Sequence, residues 1–453
     1  MNRDELRANV DTIVLIMMEN RSFDHMLGHL SLPEYGGRTD IDGLRDLANA
    51  DFGNASQNGT MYHPFKADDE QLSNDLPHER AFVTTQLARS AALGGFAMNG
   101  FVQAYEAFTG TTGVLNPPPM RVMTPEDVPV TGFLAREFLV CDRWFAPLPT
   151  STQPNRLMAF GGDSLLDVSR NGLLPDQDLI FDWLTRHEVN WRVYGAGLSF
   201  FTLMKKVWPL LLSDRFRSLP HLSFDMQHED DATFPEVIFV EPDYDDSPIH
   251  SSGHASDNHP PLPVGFGEQF LKQVYEALTS NPDRWRKMVG VLTYDENGGF
   301  FDHVAPRSVK YPPPAGAQFA AFESTGVRVP AVVFSPFVAR GGASRLVLDH
   351  TSFLQMVAER FAKRGETYSP SVAARAAAGI TSLSAVLSAQ APRADIPEPP
   401  ENISVSELTL VTTRAPSNSM QSSFATAIEG FTDAHGKEAM AKYPEIAHYH
   451  ATK

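Results

Sequence analysis

Two adjacent carboxylates at the end of an apolar strand give the clearest chemical signal in this sequence. Asp295 and Glu296 come after the apolar run 288–292, with two residues between, and Gly298 and Gly299 lie just beyond them. Carboxylates that are buried side by side without a partner repel each other, which costs several kcal/mol. A bound cation removes that cost, and the glycines let the backbone turn close to a ligand. The alternative, a solvated turn, fits poorly behind so apolar a strand, so the pattern favours a metal site.

A second oxygen-bearing pair, Glu19 and Asn20, follows the apolar residues 13–18. A carboxylate and an amide can both offer oxygen to a hard cation. Helix capping is the alternative, and it explains the nearby Ser22 and Asp24 well. It does not explain Glu19 and Asn20, which lie between the strand and the cap. We therefore interpret Glu19 and Asn20 as metal ligands, and Asp24 and His25 as structural.

A hydroxyl at the start of a predicted helix is a candidate nucleophile. Thr152 stands just before Pro154, where free backbone N–H groups make a natural phosphate site. A metal could activate its oxygen, with Asn155 and Arg156 nearby to bind substrate. The alternative is that Thr152 is only a helix cap and that Arg156 makes a surface or core-edge ion pair. On this segment alone, the alternative is the better supported.

Further polar residues follow another predicted strand. Glu241 and Asp243 come at the end of residues 237–240 and are candidates for substrate binding, and His259 lies in the polar loop beyond. His78 lies in an earlier irregular segment. The chain has 15 histidines, so any one of them is more often a surface or packing residue than a catalyst.

Short β-branched runs alternate with helical stretches, which indicates an α/β fold with a largely parallel sheet. In such sheets ligands collect beyond the carboxyl ends of the strands. The predicted strands are residues 12–18, 138–145, 191–194, 237–241, 287–295 and 329–335. The predicted helices include residues 23–30, 266–278 and 352–362. We expect irregular loops with a few helical turns over residues 36–125, and another loop over residues 225–231.

The composition is that of a chain with a sizeable core. It has 453 residues, of which 42% are hydrophobic and 20% charged, which excludes a wholly disordered, collagen-like or coiled-coil protein. A proline-rich shift begins at Pro392. We therefore predict a catalytic domain over residues 1–391, followed over residues 392–453 by a Pro-rich linker and a partly helical tail with a helix near 420–441.

The net charge of −18 makes the chain a poor candidate for binding nucleic acid or anionic lipid. The single cysteine, Cys141, excludes an intramolecular disulfide and a cysteine-based zinc cluster. No apolar run approaches the length of about 18–20 residues that a membrane span needs. The first residues lack a secretion signal, so the sequence as written predicts a cytoplasmic protein, although a processed secreted or periplasmic chain would look the same.

Five motifs occur in the order seen in one family: Glu19-Asn20-Arg21-Ser22-Phe23-Asp24-His25, Thr152-Gln153-Pro154-Asn155-Arg156, Phe239-Val240-Glu241-Pro242-Asp243-Tyr244, Thr293-Tyr294-Asp295-Glu296-Asn297-Gly298-Gly299 and Phe301-Asp302-His303. With these motifs, the chain resembles the phosphoesterase family of bacterial phosphatidylcholine-preferring and plant non-specific phospholipases C and related acid phosphatases. The resemblance runs from about residue 11 to 363.

The resemblance implies an α/β fold like that of alkaline phosphatase, with a central, mixed, mostly parallel sheet flanked by helices on both faces. It also implies one divalent metal ion (Mg, Mn, Ca or Zn) and a threonine that attacks phosphorus to form a phospho-enzyme. Carried over by position, the metal ligands are Glu19, Asn20, Asp295 and Glu296, the nucleophile is Thr152, and the histidines around the phosphoryl group are His78, His259 and His303.

The resemblance leads us to expect a hydrolase of phospholipase C type. Such an enzyme would cleave a phosphatidylcholine-like lipid to diacylglycerol and a phosphorylated head group. The alternatives are an acid phosphatase acting on small monoesters and, more remotely, a non-catalytic protein that binds phosphate or lipid. Residues 200–212 could touch lipid, but ordinary packing is favoured, so we expect at most transient contact with a membrane surface. The sequence indicates no oligomeric state.

Overall fold

The computed structural model describes residues 1–68, 71–250, 254–388, 391–405 and 418–452. The strands are β1 (Thr12–Met18), β2 (Asn54–Ala55), β3 (Met61–Tyr62), β4 (Phe65–Lys66), β5 (Arg89–Ser90), β6 (Gly95–Phe96), β7 (Arg121–Val122), β8 (Leu139–Cys141), β9 (Trp144–Phe145), β10 (Trp191–Gly195), β11 (Phe216–Ser218), β12 (Val237–Glu241), β13 (Met288–Tyr294), β14 (Ala331–Phe334), β15 (Gly342–Ser344) and β16 (Leu348–Asp349). The α-helices are α1 (Arg3–Asn9), α2 (Phe23–Leu27), α3 (Arg80–Leu87), α4 (Phe101–Thr109), α5 (Pro129–Glu137), α6 (Thr152–Gly161), α7 (Ile180–Arg186), α8 (Trp208–Leu211), α9 (Pro220–His228), α10 (Gly265–Thr279), α11 (Pro282–Trp285), α12 (His350–Phe361), α13 (Pro370–Ala377), α14 (Ser419–Lys442) and α15 (Pro444–Thr452).

Eight strands form the central sheet in the order β11-β10-β12-β1-β13-β14-β8-β15. The first five run parallel, β14 runs antiparallel to both of its neighbours, and β15 is parallel to β8. The expected mixed, mostly parallel sheet is therefore confirmed.

The central strands are continuous apolar runs because both faces of the sheet are covered. Every residue of β1, β12, β13 and β14 is buried, as is usual where helices pack on both sides of a sheet. Packing is tight between β13 and β14. A Cβ atom at Gly290 would lie 2.1 Å from the ring of Phe334, so this position requires glycine.

The strand order decides which polar residues meet. β1 lies between β12 and β13 and is parallel to both, so all three strands end at one edge of the sheet. Glu241 is the last residue of β12, and Glu19 and Asp295 come directly after β1 and β13. One sheet edge therefore holds all three carboxylates.

Two sequence-based expectations were wrong in their limits. The predicted strand 138–145 is broken into β8, which joins the central sheet, and β9, which pairs with β16 in a separate two-stranded sheet. The expected loop 225–231 begins inside α9, where Asp225 is buried against Arg192 and Arg217. Ion pairing with these arginines makes an acidic residue compatible with a packed helix.

The segment 200–212 packs inside the protein, which agrees with the favoured prediction of ordinary packing over contact with lipid. Phe200, Phe201, Leu203, Met204 and Trp208 are all buried. Residues 36–125 are largely irregular, as expected, although α3 and α4 are well-formed helices within them.

The tail contains the expected helix, α14, and a second helix, α15, that was not predicted. Met420, Phe424, Ile428 and Phe431 of α14 are buried in the main hydrophobic core. We retain the division of the chain between residues 391 and 392 as a proposal. Among the described residues, no helix is both long enough and apolar enough to cross a membrane.

Candidate active site

Asn20 connects the predicted nucleophile to one of the predicted metal ligands. Its backbone N–H donates a hydrogen bond to Oδ1 of Asp295 over 3.0 Å, and its side-chain oxygen accepts one from the Thr152 hydroxyl over 3.3 Å. Asn20 adopts a left-handed backbone conformation with φ of 60°, which asparagine tolerates better than most residues. Gly298 packs against it so closely that a Cβ atom there would lie 1.9 Å from the Asn20 carbonyl oxygen. The end of β1, the turn after β13 and the start of α6 therefore converge on Asn20.

Thr152 is held at the first position of α6 by the loop that precedes it. The side chain of Asn155 accepts a hydrogen bond from the N–H of Leu148 and donates to the carbonyl oxygens of Leu148, Thr150 and Ser151. These bonds use the whole amide group of Asn155. Its visible role is thus to fix the loop that presents Thr152, whereas its predicted contact with substrate stays a prediction.

Arg156, which was expected near substrate or in an ion pair, is completely buried between two carboxylates. Its Nη2 atom lies 3.0 Å from Oε1 of Glu19, and its Nε atom lies 3.4 Å from Oδ2 of Asp295. It also donates to the Tyr244 hydroxyl over 2.9 Å. Burial lowers the pKa of Arg156, but Tyr244, Glu19 and Asp295 raise it by more, so the guanidinium stays charged. This charge offsets part of the negative charge of the site.

Considerable negative charge is left over. Burial raises the pKa of Glu19 well above its usual range, and Asp295 adds to the effect while Arg156 opposes it. Burial likewise raises the pKa of Glu296 to about 8, although nearby His78 lowers it. A raised carboxyl pKa means that the ionised form lacks sufficient positive partners.

Buried oxygen atoms without hydrogen bonds show where a cation would fit. Among the described residues, hydrogen-bond partners are lacking for both carboxylate oxygens of Glu19, Oδ2 of Asp295, Oε1 of Glu296 and Oδ2 of Asp246. Of these atoms, Oε1 of Glu19 and Oδ2 of Asp295 face Arg156 at ion-pair distance. Buried carboxylate oxygens that lack hydrogen bonds, together with an amide oxygen, form a donor set suited to a hard divalent cation.

His259 is surrounded by acidic residues, and the ligand atoms of two groups around it lie within 4.8 Å of one another. One group is Glu19, Asp246 and His259, and the other is Asp75, His78 and His259. Burial lowers the pKa of His259, but the surrounding carboxylates, Asp75 first, outweigh it and raise the pKa well above its usual range. His259 is therefore next to the predicted ligand Glu19.

The ring of His78 packs edge-on against that of His259, with 6.0 Å between the ring centroids. Burial lowers the pKa of His78, yet Glu296, Asp75 and Glu79 raise it by more, to about 9. The carboxylates thus favour the protonated form of both predicted histidines. His78 and Asp75 are only half-buried, so the site is nearest to solvent on their side.

Glu241 contacts the site indirectly through Tyr244. Its carboxylate accepts hydrogen bonds from the Tyr244 hydroxyl over 3.1 Å and from the Ser199 hydroxyl over 2.6 Å, and Tyr244 in turn contacts Arg156. Asp243 is buried and accepts from His250 over 3.1 Å. Substrate binding by Glu241 and Asp243 stays a prediction.

His303 is held in an ionic network of its own. Its Nδ1 atom bonds to Asp24 over 2.6 Å and its Nε2 atom approaches Asp42 at 3.4 Å, while Arg328 pairs with Asp24 over 3.0 Å. Burial lowers the pKa of His303, but Asp24 and Asp42 raise it to about 9. Asp24 thus pairs with both His303 and Arg328, its structural role stays an interpretation, and the predicted role of His303 at the phosphoryl group remains a prediction.

Three further residues at this edge of the sheet were missed by the sequence analysis. Asp75 and Asp246 lie among ordinary loop acids, so only their proximity to His259 marks them. His350, the first residue of α12, bonds through Nε2 to the backbone oxygen of Asp295 over 2.7 Å. Its Nδ1 atom accepts from Trp144 over 3.0 Å, so His350 fixes the turn after β13.

Comparisons relate the chain to known proteins. A model of the Phosphoesterase family matches residues 10–362. Non-specific phospholipase C1 of Arabidopsis thaliana is 35% identical over 356 residues, which cover 74% of this chain and 62% of that protein. Non-hemolytic phospholipase C of Burkholderia pseudomallei is 29% identical over 435 residues, which cover 80% and 57%.

Among solved structures, a protein in the alkaline phosphatase superfamily from Vibrio parahaemolyticus is similar, with a TM-score of 0.34 and 11% identity, over 70% of this chain and 82% of that one. The chain spans about three fifths of the length of the curated relatives that it matches.

Proposed function

The chain belongs to the Phosphoesterase family, and from that premise we propose that it is a phosphoric ester hydrolase of phospholipase C type. The observation that carries the proposal is the hydroxyl of Thr152 beside Asn20, whose backbone contacts Asp295. A hydroxyl next to excess buried carboxylate is the arrangement that a metal-assisted phosphoryl transfer needs.

We propose that the cation-binding side chains are Glu19, Asn20, Asp295 and Glu296. In support, buried oxygens of Glu19, Asp295 and Glu296 lack hydrogen bonds within the described part of the chain. A divalent ion there would supply positive charge beside the Thr152 hydroxyl and the phosphoryl oxygens.

The proposed chemistry uses this chain's own groups in two steps. The Thr152 hydroxyl releases its proton to solvent and its oxygen attacks phosphorus, forming a phosphothreonine diester as the bond to the lipid glycerol oxygen breaks. Either His78 or His259, both protonated, gives a proton to the departing glycerol oxygen. Water then attacks phosphorus and returns one proton to that histidine. The bond from phosphorus to Thr152 breaks, the threonine oxygen takes up a proton from solvent, and the phosphorylated head group is released.

The substrate we propose is a zwitterionic phospholipid such as phosphatidylcholine. The relatives named phospholipase C suggest the reaction, and the charge of the chain suggests the head group. A net charge of −18, with Asp75 and Asp246 beside His259, favours a lipid that carries a cationic group over an anionic one.

A substrate panel tests the proposal. The full chain is assayed with phosphatidylcholine, phosphatidylethanolamine and p-nitrophenyl phosphate, with and without a chelator. We expect diacylglycerol and phosphocholine from the first lipid, and loss of this activity with chelator. Turnover of the monoester with both lipids left intact would instead identify a phosphatase. Turnover of none of them, in protein supplied with Mg²⁺, Mn²⁺, Ca²⁺ and Zn²⁺ in turn, would refute the hydrolase.

A further inference from the structure

Residues 81–120, which we call the neutral hairpin, are almost free of charge. They contain only two charged residues, Arg89 and Glu106, in a chain of which 20% is charged and whose net charge is −18. Glu106 is buried, so Arg89 is the single charged side chain that this segment presents near its surface. Surfaces of globular proteins are normally rich in charge, so this composition is unusual.

The neutral hairpin consists of two antiparallel helices joined by a strand pair. The ring of Phe82, at the start of α3, packs against that of Phe108, at the end of α4, with 5.7 Å between centroids. At the other end of the pair, the N–H of Gly100 donates to the carbonyl oxygen of Gln86. β5 and β6 join the helices, and their turn forms a tip at that end.

Large apolar side chains are exposed at both ends of the neutral hairpin. Leu93, in the β5–β6 turn, is 68% exposed, and Leu115, in the loop after α4, is 85% exposed. Phe108 is also exposed, as is Met61 in the adjoining β2–β3 hairpin. Seven large hydrophobic residues are exposed in the described part of the chain, and these four are among them. Exposed apolar side chains gathered in one segment of low charge are a feature of surfaces that bind a partner.

The loop that carries Leu115 is fastened to the fold. The buried carboxylate of Glu106 accepts hydrogen bonds from the Ser56 hydroxyl, the N–H of Gln57 and the N–H of Gly113. Because three donors converge on one carboxylate, Leu115 is presented on a fixed support.

The neutral hairpin is joined directly to the candidate active site. α3 begins two residues after His78, on the side where the site is nearest to solvent. The side chain of Gln86 in α3 donates to the carbonyl oxygen of Pro77 over 2.6 Å and accepts from the side chain of Asn297 over 3.2 Å. Asn297 is the neighbour of Glu296, so whatever the neutral hairpin binds lies beside the entrance to the site.

We propose that the neutral hairpin docks the protein on the surface of a zwitterionic phospholipid bilayer, with Leu93 and Leu115 entering the region between head groups and acyl chains. The proposal rests on the proposed lipid substrate. A bilayer without net charge is the fitting partner, because a chain of charge −18 is repelled by anionic lipid whereas the neutral hairpin presents apolar tips with little charge.

Sedimentation with vesicles tests the docking separately from catalysis. The full chain carrying Thr152→Ala, to prevent turnover, is mixed with sucrose-loaded phosphatidylcholine vesicles. We expect the protein to sediment with the vesicles. Adding both Leu93→Asp and Leu115→Asp should weaken its partitioning onto the vesicles by at least about tenfold, because each leucine would bury its apolar side chain in the bilayer. The matched control is Leu346→Asp, at an exposed leucine elsewhere, which should bind as before.

Activity assays then separate the two proposals. With Thr152 restored, the double variant should lose activity on vesicles while keeping, within about twofold, its activity on water-soluble p-nitrophenyl phosphorylcholine. If the parent protein binds vesicles but cleaves no lipid, the docking surface stands and the proposed function fails. Unchanged vesicle binding by the double variant, or equal loss with Leu346→Asp, would overturn the docking surface. A third result would also overturn it: the parent protein binds no vesicles but forms a dimer, and the double variant is a monomer. The surface would then join two copies of the chain.

Discussion

Nη2 of Arg156 lies 3.0 Å from Oε1 of Glu19, and both side chains are completely buried. A buried guanidinium at this place cannot reach a substrate in the manner of a surface arginine. It instead stabilises the carboxylates that we propose to bind a cation, and its pairing with Asp295 ties two strand ends together.

Replacing Arg156 with methionine should destabilise the protein by about 3–5 kcal/mol, because it leaves two buried carboxylates without their cationic partner. A divalent ion would then stabilise the variant more than it stabilises the parent protein, which thermal unfolding with and without Mg²⁺ would measure. The matched control is Arg192→Met, which removes a buried arginine from the separate pair with Asp225. If both variants respond equally to the ion, Arg156 does not belong to the cation site.

Thr152→Ala should lower turnover about 10³-fold or more, since no other hydroxyl replaces the nucleophile. The cost in stability should stay below about 1 kcal/mol, because the Thr152 hydroxyl makes a single long hydrogen bond, to Asn20, among the residues that the structure describes. Thr152→Ser should retain measurable turnover. The matched control is Thr150→Ala, whose hydroxyl bonds to the backbone of Asp167. Full activity in Thr152→Ala would remove this residue from the mechanism.

Asn155→Ala should destabilise the protein by about 2–4 kcal/mol. The loop before Thr152 would lose the side-chain oxygen that accepts from the Leu148 N–H and the side-chain N–H groups that donate to its carbonyl oxygens. We expect kcat to fall while KM changes little, since the residue positions the nucleophile. A raised KM with unchanged kcat would instead support the substrate contact predicted from the sequence. Asn281→Ala, at the N-cap of α11, serves as a control that costs stability alone.

Cation affinity should rise with pH up to about 8. Burial raises the pKa of Glu296 to about 8, so in the cation-free protein its carboxyl group is protonated at neutral pH. Binding must release that proton, which weakens the apparent affinity about tenfold for each pH unit below 8. Titration calorimetry in buffers of different ionisation enthalpy would measure the release. In Glu296→Gln this release should fall, although Glu19, whose pKa is also raised, can still release a proton. An unchanged release would assign the proton to another group.

His303 should make stability fall between about pH 6.5 and 9. Its pKa is about 9 in the folded protein and about 6.5 when unfolded, so its contribution is complete below pH 6.5 and is lost as the pH rises through 9. The loss should amount to about 3 kcal/mol at most. Denaturant unfolding of His303→Gln at pH 6 and pH 9.5 should show a smaller difference than in the parent protein. The control His221→Gln, at an exposed histidine, should show the same pH difference as the parent protein. If His303→Gln also showed the parent's difference, the network with Asp24 would not stabilise the fold.

The central strands could be predicted almost to the residue. β1 coincides with the predicted residues 12–18, and β13 differs from residues 287–295 by one residue at each end. Long runs that are buried on both faces are readable because every position is apolar. Strand 138–145 was misjudged because an apolar run shows burial but does not show where the chain leaves one sheet and enters another.

The chemical types at the site could also be predicted, but their grouping could not. The oxygen-bearing side chains after β1 and β13 and the threonine at the start of α6 stood out by their positions. By contrast, the proximity of Asp246 to His259 had no sequence signal. The segment 200–212 and the neutral hairpin are both apolar, and only packing shows that the first is largely buried whereas the second leaves Leu93 and Leu115 exposed.

The sequence by itself determined which residues are apolar, which strands they build and which oxygen-bearing side chains stand at the strand ends. Those properties depend on neighbours along the chain. The tertiary structure alone decided that β1 lies between β12 and β13, and that Asn20 meets Asp295, 275 positions away. It also placed the charge of Arg156 against Glu19. Such pairings depend on how whole elements pack, since burial in a common core brings together residues that no local pattern connects.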